Sequence, residues 1–385
     1  MRSADDLVLW ILTRGRTLPA ARFVFQLCQQ LAAGDVPLWR ADIYAGTLHP
    51  QARGLGWRWT RGRPVAEELR IAQGIENTAE YLDGPLRATI EKGAAFRERM
   101  ERGTTKYALL RSFAAEGCTD YVAQALSKLG PDYCVVAWAS DRPGGFSDSD
   151  LAVLEHIRPA LSMAVEAMVV MRTARSLFDI YQGALVGPRI LDGQIRRGQV
   201  EPLRAAIMAT DLRGFTNLSD REAAEVVIEA LNDFFGYVTD AVEAGGGHVL
   251  KFIGDGVLCI FETADRCDAS PARAALVAGR TILARLAERD KEPALRAGIG
   301  LHLGTVMYGN VGGENRLDFT VVGPAVNLAF RLESLTKSLG RPLLASHAFA
   351  EAVDQGMKPL GLHPIRGFSE PEEVYGLPEH EPRTL

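Results

Sequence analysis

From Asp5 to Ala33 the apolar residues Leu7, Leu9, Trp10, Phe23, Phe25, Leu27 and Leu31 recur at helical spacing, with breaks near Gly15 and Pro19, which predicts two helices. Pro37 to Thr60 alternates instead, through Trp39, Ile43, Tyr44, Leu48, Trp57 and Trp59, as strands do. A Gly130-Pro131-Asp132 turn leads into a strand at Cys134 to Trp138, and Leu151 to Tyr181 reads as one continuous helix, with Ser147 and Asp148 offering caps. Its apolar positions Leu154, Ile157, Leu161, Val165, Met168, Met171, Leu177 and Ile180 would suit a seam against a second copy or packing on their own domain. Gly183 to Gly198 is a Gly- and Arg-containing connector. We therefore expect two domains: 1–182, an α/β fold ending in a connecting helix at about 150–181, and 183–385.

In the second half, Arg204 to Thr210 is a mostly apolar strand running into Asp211-Leu-Arg-Gly-Phe-Thr216, and Glu222 to Val242 has helical spacing. His248 to Phe261 places two β-rich runs around Gly254-Asp255-Gly256, the pattern of a hairpin with a tight turn. Leu295 to Leu303 reads as a strand that continues through Gly304 to Gly309. Gly312 to Asn315 reads as a loop, Arg316 to Val322 as another strand, and Gly323-Pro324 as the opening of a helix. On that helix Asn327 and Arg331 stand at i and i+4, one face.

Asp211 ends a buried strand at a Gly-containing turn before a helix, where a carboxylate offers a hard oxygen ligand and free N–H groups face an anion. If Asp255 converged with it, the pair could hold two divalent ions about 3.5–4 Å apart. Such a pair suits chemistry on a nucleoside triphosphate. Spacing does not establish that the two converge.

Asp211 to Thr216, Lys251-Phe-Ile-Gly-Asp255-Gly and Asp318 to Arg331 resemble, in order and spacing, the three signature blocks of class III nucleotidyl cyclase catalytic domains, over roughly residues 183–378. The resemblance implies a ferredoxin-like βαββαβ domain of α+β type. It also implies two Mg²⁺ or Mn²⁺ ions per site on Asp211, Asp255 and the Leu212 carbonyl, with β- and γ-phosphates cradled near Phe215 and Thr216. Asn327 would orient the ribose and Arg331 would stabilise the transition state. Lys251 and Thr320 would read the base, a pair that favours ATP over GTP. Gly361 to Leu377 would supply closing strands, with Arg366 standing where the family often has a phosphate-contacting Lys. The expected activity is an adenylate cyclase of cyclic-nucleotide signalling, acting as a homodimer with shared sites. A guanylate cyclase and a silent nucleotide-binding module are the alternatives. In the first half, Tyr133 to Val170 is similar to the last part of GAF domains, which implies a sensory domain for an unknown small-molecule or protein regulator.

Composition adds bounds. The 385 residues are 47% hydrophobic and 24% charged, as in soluble globular proteins, and a net charge of −5 leaves no basic footprint for nucleic acid. Five scattered cysteines without C-x-x-C read as free thiols in a reducing cytoplasm. Asp5 and Asp6 at the start do not resemble a leader, and the apolar stretch Ala160 to Met171 is too short to span a bilayer, so a cytoplasmic location is expected. The five tryptophans, all in the first half, would form an aromatic ligand cup or ordinary core.

Overall fold

The computed structural model describes residues 3–50, 52–100, 105–126, 133–183, 185–263, 267–314 and 316–378. The turn expected at Gly130 to Asp132 and the loop residue Asn315 lie outside them. The chain divides into two compact units, Met1–Leu177 and Phe178–Leu385. Each is mixed α/β around its own sheet.

The first unit opens with α1 (Ala4–Leu12) and α2 (Ala20–Ala33). A capping box starts α1, in which the Ser3 hydroxyl accepts from the Asp6 amide at 3.1 Å and the Asp6 carboxylate accepts from the Ser3 amide at 2.9 Å. There follow β1 (Arg40–His49), β2 (Ala52–Thr60), β3 (Glu67–Ala72), α3 (Ala79–Leu82), α4 (Arg87–Lys92), β4 (Phe96–Arg99), α5 (Ala108–Ala115), β5 (Asp120–Ala125), β6 (Cys134–Ser140) and α6 (Asp148–Gln182). The six strands form one sheet in the order β3-β2-β1-β6-β5-β4. Trp57, Trp59 and Trp138 are buried in the core with α1, α2 and the first half of α6, so these three serve packing. Ser147 caps α6, accepting from the Asp150 amide at 3.2 Å. Four residues of the expected seam, Leu154, Ile157, Leu161 and Val165, are spent on this core.

The second unit takes the end of α6 and then α7 (Val186–Leu191), β7 (Val200–Leu212), α8 (Phe215–Arg221), α9 (Ala224–Ala244), β8 (His248–Ile253), β9 (Gly256–Glu262) and α10 (Ala269–Glu288). It continues with β10 (Ala297–Gly312), β11 (Leu317–Val322), α11 (Pro324–Ser338), β12 (Leu343–Ser346), α12 (His347–Val353), β13 (Lys358–His363) and β14 (Glu372–Gly376). The stretch read as a connector thus contains α7, and Val186 is buried against the sheet.

The sheet order is β13-β14-β12-β10-β7-β9-β8, with β11 paired to the far end of β10. β7-α9-β8-β9-α10-β10 is a βαββαβ unit, and its strands lie in the spatial order fourth, first, third, second, all antiparallel, as in ferredoxin-like folds. Helices α9 and α10 bury Phe234, Val238, Ala275 and Ile282 on one sheet face, and α11 with α7 covers the other. The site helix α11 lies unusually close to its strand. A methyl group on Gly300 would run into the Ala329 carbonyl and the Glu333 amide of α11.

Overpacking at such a contact costs about 1–3 kcal/mol. Gly300→Ala should therefore lower the unfolding midpoint of the chain in a denaturant titration, and an unchanged midpoint would mean that α11 does not sit this close to β10.

Candidate active site

Strand β7 carries Asp211 to the edge of its ladder, opposite Gly256 on one side and Gly298 on the other. Neither neighbour has a side chain. A Cβ on Gly256 would stand 3.2 Å from the Asp211 Oδ2, so glycine there leaves room for the carboxylate. Asp255 precedes Gly256 in the turn between β8 and β9, where Gly254 takes the left-handed backbone (φ 63°) that favours glycine. The two carboxylates come close enough for Asp255 to raise the Asp211 carboxyl. This convergence is what the spacing alone left open.

Burial first, then the charge of Asp255 and that of Glu333, push the Asp211 carboxyl up to about 7, while the Arg213 guanidinium beside it pulls the other way. Glu333, on the inner face of α11, is also raised, chiefly by burial, with Arg213 offsetting part of the effect. Arg213 stands 3.8 Å from Glu333, and its Nη2 is buried without a hydrogen-bond partner. A side chain on Gly298 would collide with Arg213, Thr336 and Glu333, so this glycine makes the space in which the acidic and basic groups meet.

Beyond Asp211 the chain turns through Gly214 (φ 72°) into α8, whose first residues are Phe215 and Thr216. A cavity of about 240 Å³ opens here, lined by Leu212, Arg213, Gly214, Phe215 and Arg221 among others. Among the described residues no three His, Cys, Asp or Glu side chains form a metal cage. Two carboxylates with a backbone carbonyl, such as that of Leu212, fit instead a hard divalent ion that completes its shell with water and phosphate oxygens.

Lys251 lies on β8 and Thr320 on β11, strands that share no ladder. Asp318 joins them. Its carboxylate accepts from the Lys251 ammonium, and Thr320, two positions along, projects from the same face of β11. On α11, Gly323 and Pro324 open the helix as expected, and Asn327 and Arg331 are exposed. At about 100° per residue, Arg331 lies some 160° around the axis from Glu333, the helix residue that faces the carboxylate pair. Asn327 and Arg331 are therefore turned away from Asp211 and Asp255 of their own chain. Arg366 is exposed in the loop between β13 and β14, and its neighbour Ile365 packs with Leu328 and Leu332 of α11.

Three polar groups at this site were not among the residues singled out from the sequence: Arg213, Glu333 and Asp318. Arg213 sits inside the first signature block, and Glu333 falls two residues beyond Arg331, off the exposed face. Asp318 holds Lys251 in an ion pair.

A carboxyl raised from its ordinary value of 3.8 favours the folded chain below that value, and the advantage is lost as pH rises through about 7. Removing the charge should reverse this loss. Asp211→Asn is expected to unfold at a higher temperature than the parent at pH 8 without added metal, with the difference closing toward pH 4; a difference independent of pH would mean that Asp211 ionises normally.

The description "Adenylate and Guanylate cyclase catalytic domain" matches residues 201–341. An adenylate cyclase of Anabaena cylindrica is 31% identical over 171 residues, 43% of this chain and 34% of that protein. An uncharacterised protein of Mycobacterium tuberculosis is 40% identical over 190 residues, 48% of this chain and 33% of its own length. The chain thus spans about a third of these curated relatives. Among solved structures, the guanylyl cyclase Cya2 is 30% identical, with a TM-score of 0.42, covering 48% of this chain and 98% of that one. The adenylyl cyclase CyaB from P. aeruginosa is 27% identical, with a TM-score of 0.42, covering 49% and 99%. By the family match, residues 201–341 of the second unit are an adenylate and guanylate cyclase catalytic domain.

Proposed function

We propose that the chain converts ATP to 3′,5′-cyclic AMP and pyrophosphate, in a homodimer whose two active sites each draw on both subunits. The observation that carries this reading is the carboxylate pair at the end of β7. In the reaction the ribose 3′-oxygen bonds to the α-phosphorus and the bond to pyrophosphate breaks. Asp211, Asp255 and the Leu212 carbonyl would hold two Mg²⁺ or Mn²⁺ ions, which supply a lowered hydroxyl pKa and charge neutralisation on the phosphates. The amides at Phe215 and Thr216 donate to the β- and γ-phosphates, and Arg366 adds a cation to that end. Arg331 offers a planar guanidinium to the charge that develops on the phosphoryl oxygens, and Asn327 positions the ribose.

Lys251 donates to N1 of adenine, and the Thr320 hydroxyl accepts from the adenine amino group; guanine presents a donor at N1, which Lys251 cannot meet. Asp318 keeps the ammonium on this side of β8. The outward aim of Asn327 and Arg331 supports the shared site, because they can serve a carboxylate pair only if that pair belongs to a second copy. The first unit is proposed to be a sensory domain whose regulator is a small molecule or protein. Among the described residues no helix is long and apolar enough to cross a membrane.

An assay of cyclic nucleotide formation from ATP and from GTP with Mn²⁺ tests the activity directly. Faster GTP turnover would make the chain a guanylate cyclase, and no product from either would make it a silent module. Lys251→Glu with Thr320→Cys should cut ATP use and shift the ratio toward GTP, since leaving a buried polar group unpaired costs about 1–3 kcal/mol. An unchanged ratio would remove both residues from base recognition.

The shared site has its own test. Asp255→Ala and Arg331→Ala should each be nearly inactive, yet after subunit exchange the mixed dimer holds one site with both defects and one with none. Activity should return to roughly a quarter of the parent for random pairing. A mixture with demonstrated exchange and no recovery would mean that each site is built within one chain.

A further inference from the structure

Arg213 and Glu333 have no part in the reaction as proposed above, yet both are held beside it. Arg213 follows Leu212 directly, and its amide donates to the Arg296 carbonyl at 2.8 Å, so the ladder that fixes Asp211 against β10 fixes Arg213 as well. Its guanidinium reaches under α11. A Cβ on Gly298 would collide with Arg213 Nη2, Thr336 Oγ1 and Glu333 Oε1 at once, so the three groups converge over one strand position. Glu333 and Thr336 are both buried there, and the second carboxylate oxygen of Glu333 accepts from the Ser334 hydroxyl at 3.3 Å.

As an adhesive the pair is poor. At 3.8 Å it is an ion pair and not a hydrogen bond, and Arg213 Nη2 is buried with no partner. An unpaired buried donor is costly, and apolar residues in place of a buried ion pair often hold two elements together as well or better. What the pair supplies is direction. The rest of the inner face of α11, Ala325, Val326, Leu328, Ala329 and Leu332, packs through apolar contacts, which are non-directional. Gly298 and Gly300 below it offer no side chain to resist a turn of the helix about its axis.

We propose that Arg213 and Glu333 are positioning residues that set the rotation of α11 against the strand carrying Asp211, and so the aim of Arg331 into the site of the partner subunit. This rests on the shared-site reading. Arg331 is two residues from Glu333 and on the far side of the helix. A helix with its side chains is about 10–12 Å across, so a turn of about 10° moves its outer edge by about 1 Å. A displacement of that size at a reacting group costs about a hundredfold in rate. Each chain thus aims its arginine from its own carboxylate strand, at a site whose carboxylates belong to the other chain.

The test replaces the pair by apolar residues, Arg213→Met with Glu333→Leu, and reads stability and turnover separately. The double variant should unfold at a denaturant midpoint no lower than the parent's, while kcat for cyclic nucleotide formation falls by roughly tenfold or more. Glu333→Gln, which keeps the side-chain shape, goes through the same two measurements and gives the comparison if the double variant does not fold. Full activity in either variant, or a loss that only tracks a lowered midpoint in both, would overturn the positioning role. The mixed dimer of Asp255→Ala and Arg331→Ala chains then shows which site the pair serves, because its one working site takes Arg331 from the Asp255→Ala chain. Glu333→Gln added to that chain should lower the recovered activity by roughly tenfold, although the carboxylates beside it do no work. A loss seen only when Glu333→Gln sits on the Arg331→Ala chain would mean that the pair acts on its neighbouring carboxylates alone, and the inference fails. No recovery in the reference mixture removes the shared site and this inference with it; recovery that Glu333→Gln leaves unchanged removes this inference alone.

Discussion

Two carboxylates, Asp211 and Asp255, brought together by neighbouring strand ends are the constraint from which the rest of the second unit follows. Ionising both is opposed first by burial and then by their mutual repulsion, which together push the Asp211 carboxyl up to about 7. Such a pair is held together by its backbone. Asp211 is fixed by ladders to β9 and β10, and Asp255 by a tight turn with a left-handed glycine. The long central strand and the hairpin register are thus the means by which an unfavourable contact is kept ready for positive charge.

The same constraint shapes α11. Arg213 is the nearest compensating charge, and Glu333 balances it from the inner face of the helix. Gly298 and Gly300 let that face come down onto the sheet. Committing the inner face to Glu333, Leu332 and Ala329 leaves Asn327 and Arg331 on the outer one. A helix cannot turn both faces to one site, so packing within the chain and supply of residues to a partner's site are two results of a single placement.

Much of this was legible in the sequence where chemistry is local. The hairpin around Gly254-Asp255-Gly256, the start of α11 at Gly323-Pro324 and the caps of α6 depend on neighbouring residues, and they stand where the pattern put them. The strands β3 and β4 gave no such signal. Glu67 to Ala72 and Phe96 to Arg99 alternate charge with modest apolar residues because they are the edges of the first sheet, where one side meets solvent. The ion pair of Asp318 was illegible for a different reason. Its partner lies 67 residues away on a strand with which β11 shares no ladder, and no local pattern carries that information.

Helix α6 shows why periodicity locates an element more reliably than it assigns its faces. The apolar set read from the sequence mixed residues now buried in the first unit, such as Leu161 and Val165, with exposed ones, such as Met171 and Ile180. A helix with apolar residues on both sides satisfies several registers at once, and composition cannot say which is already filled. Burial separates them, because each residue committed to the core is removed from the list that a partner could use. What remains large and exposed on α6 after that subtraction is Met163, Val170, Met171, Ile180 and Tyr181, a set that the periodicity of the whole helix does not pick out.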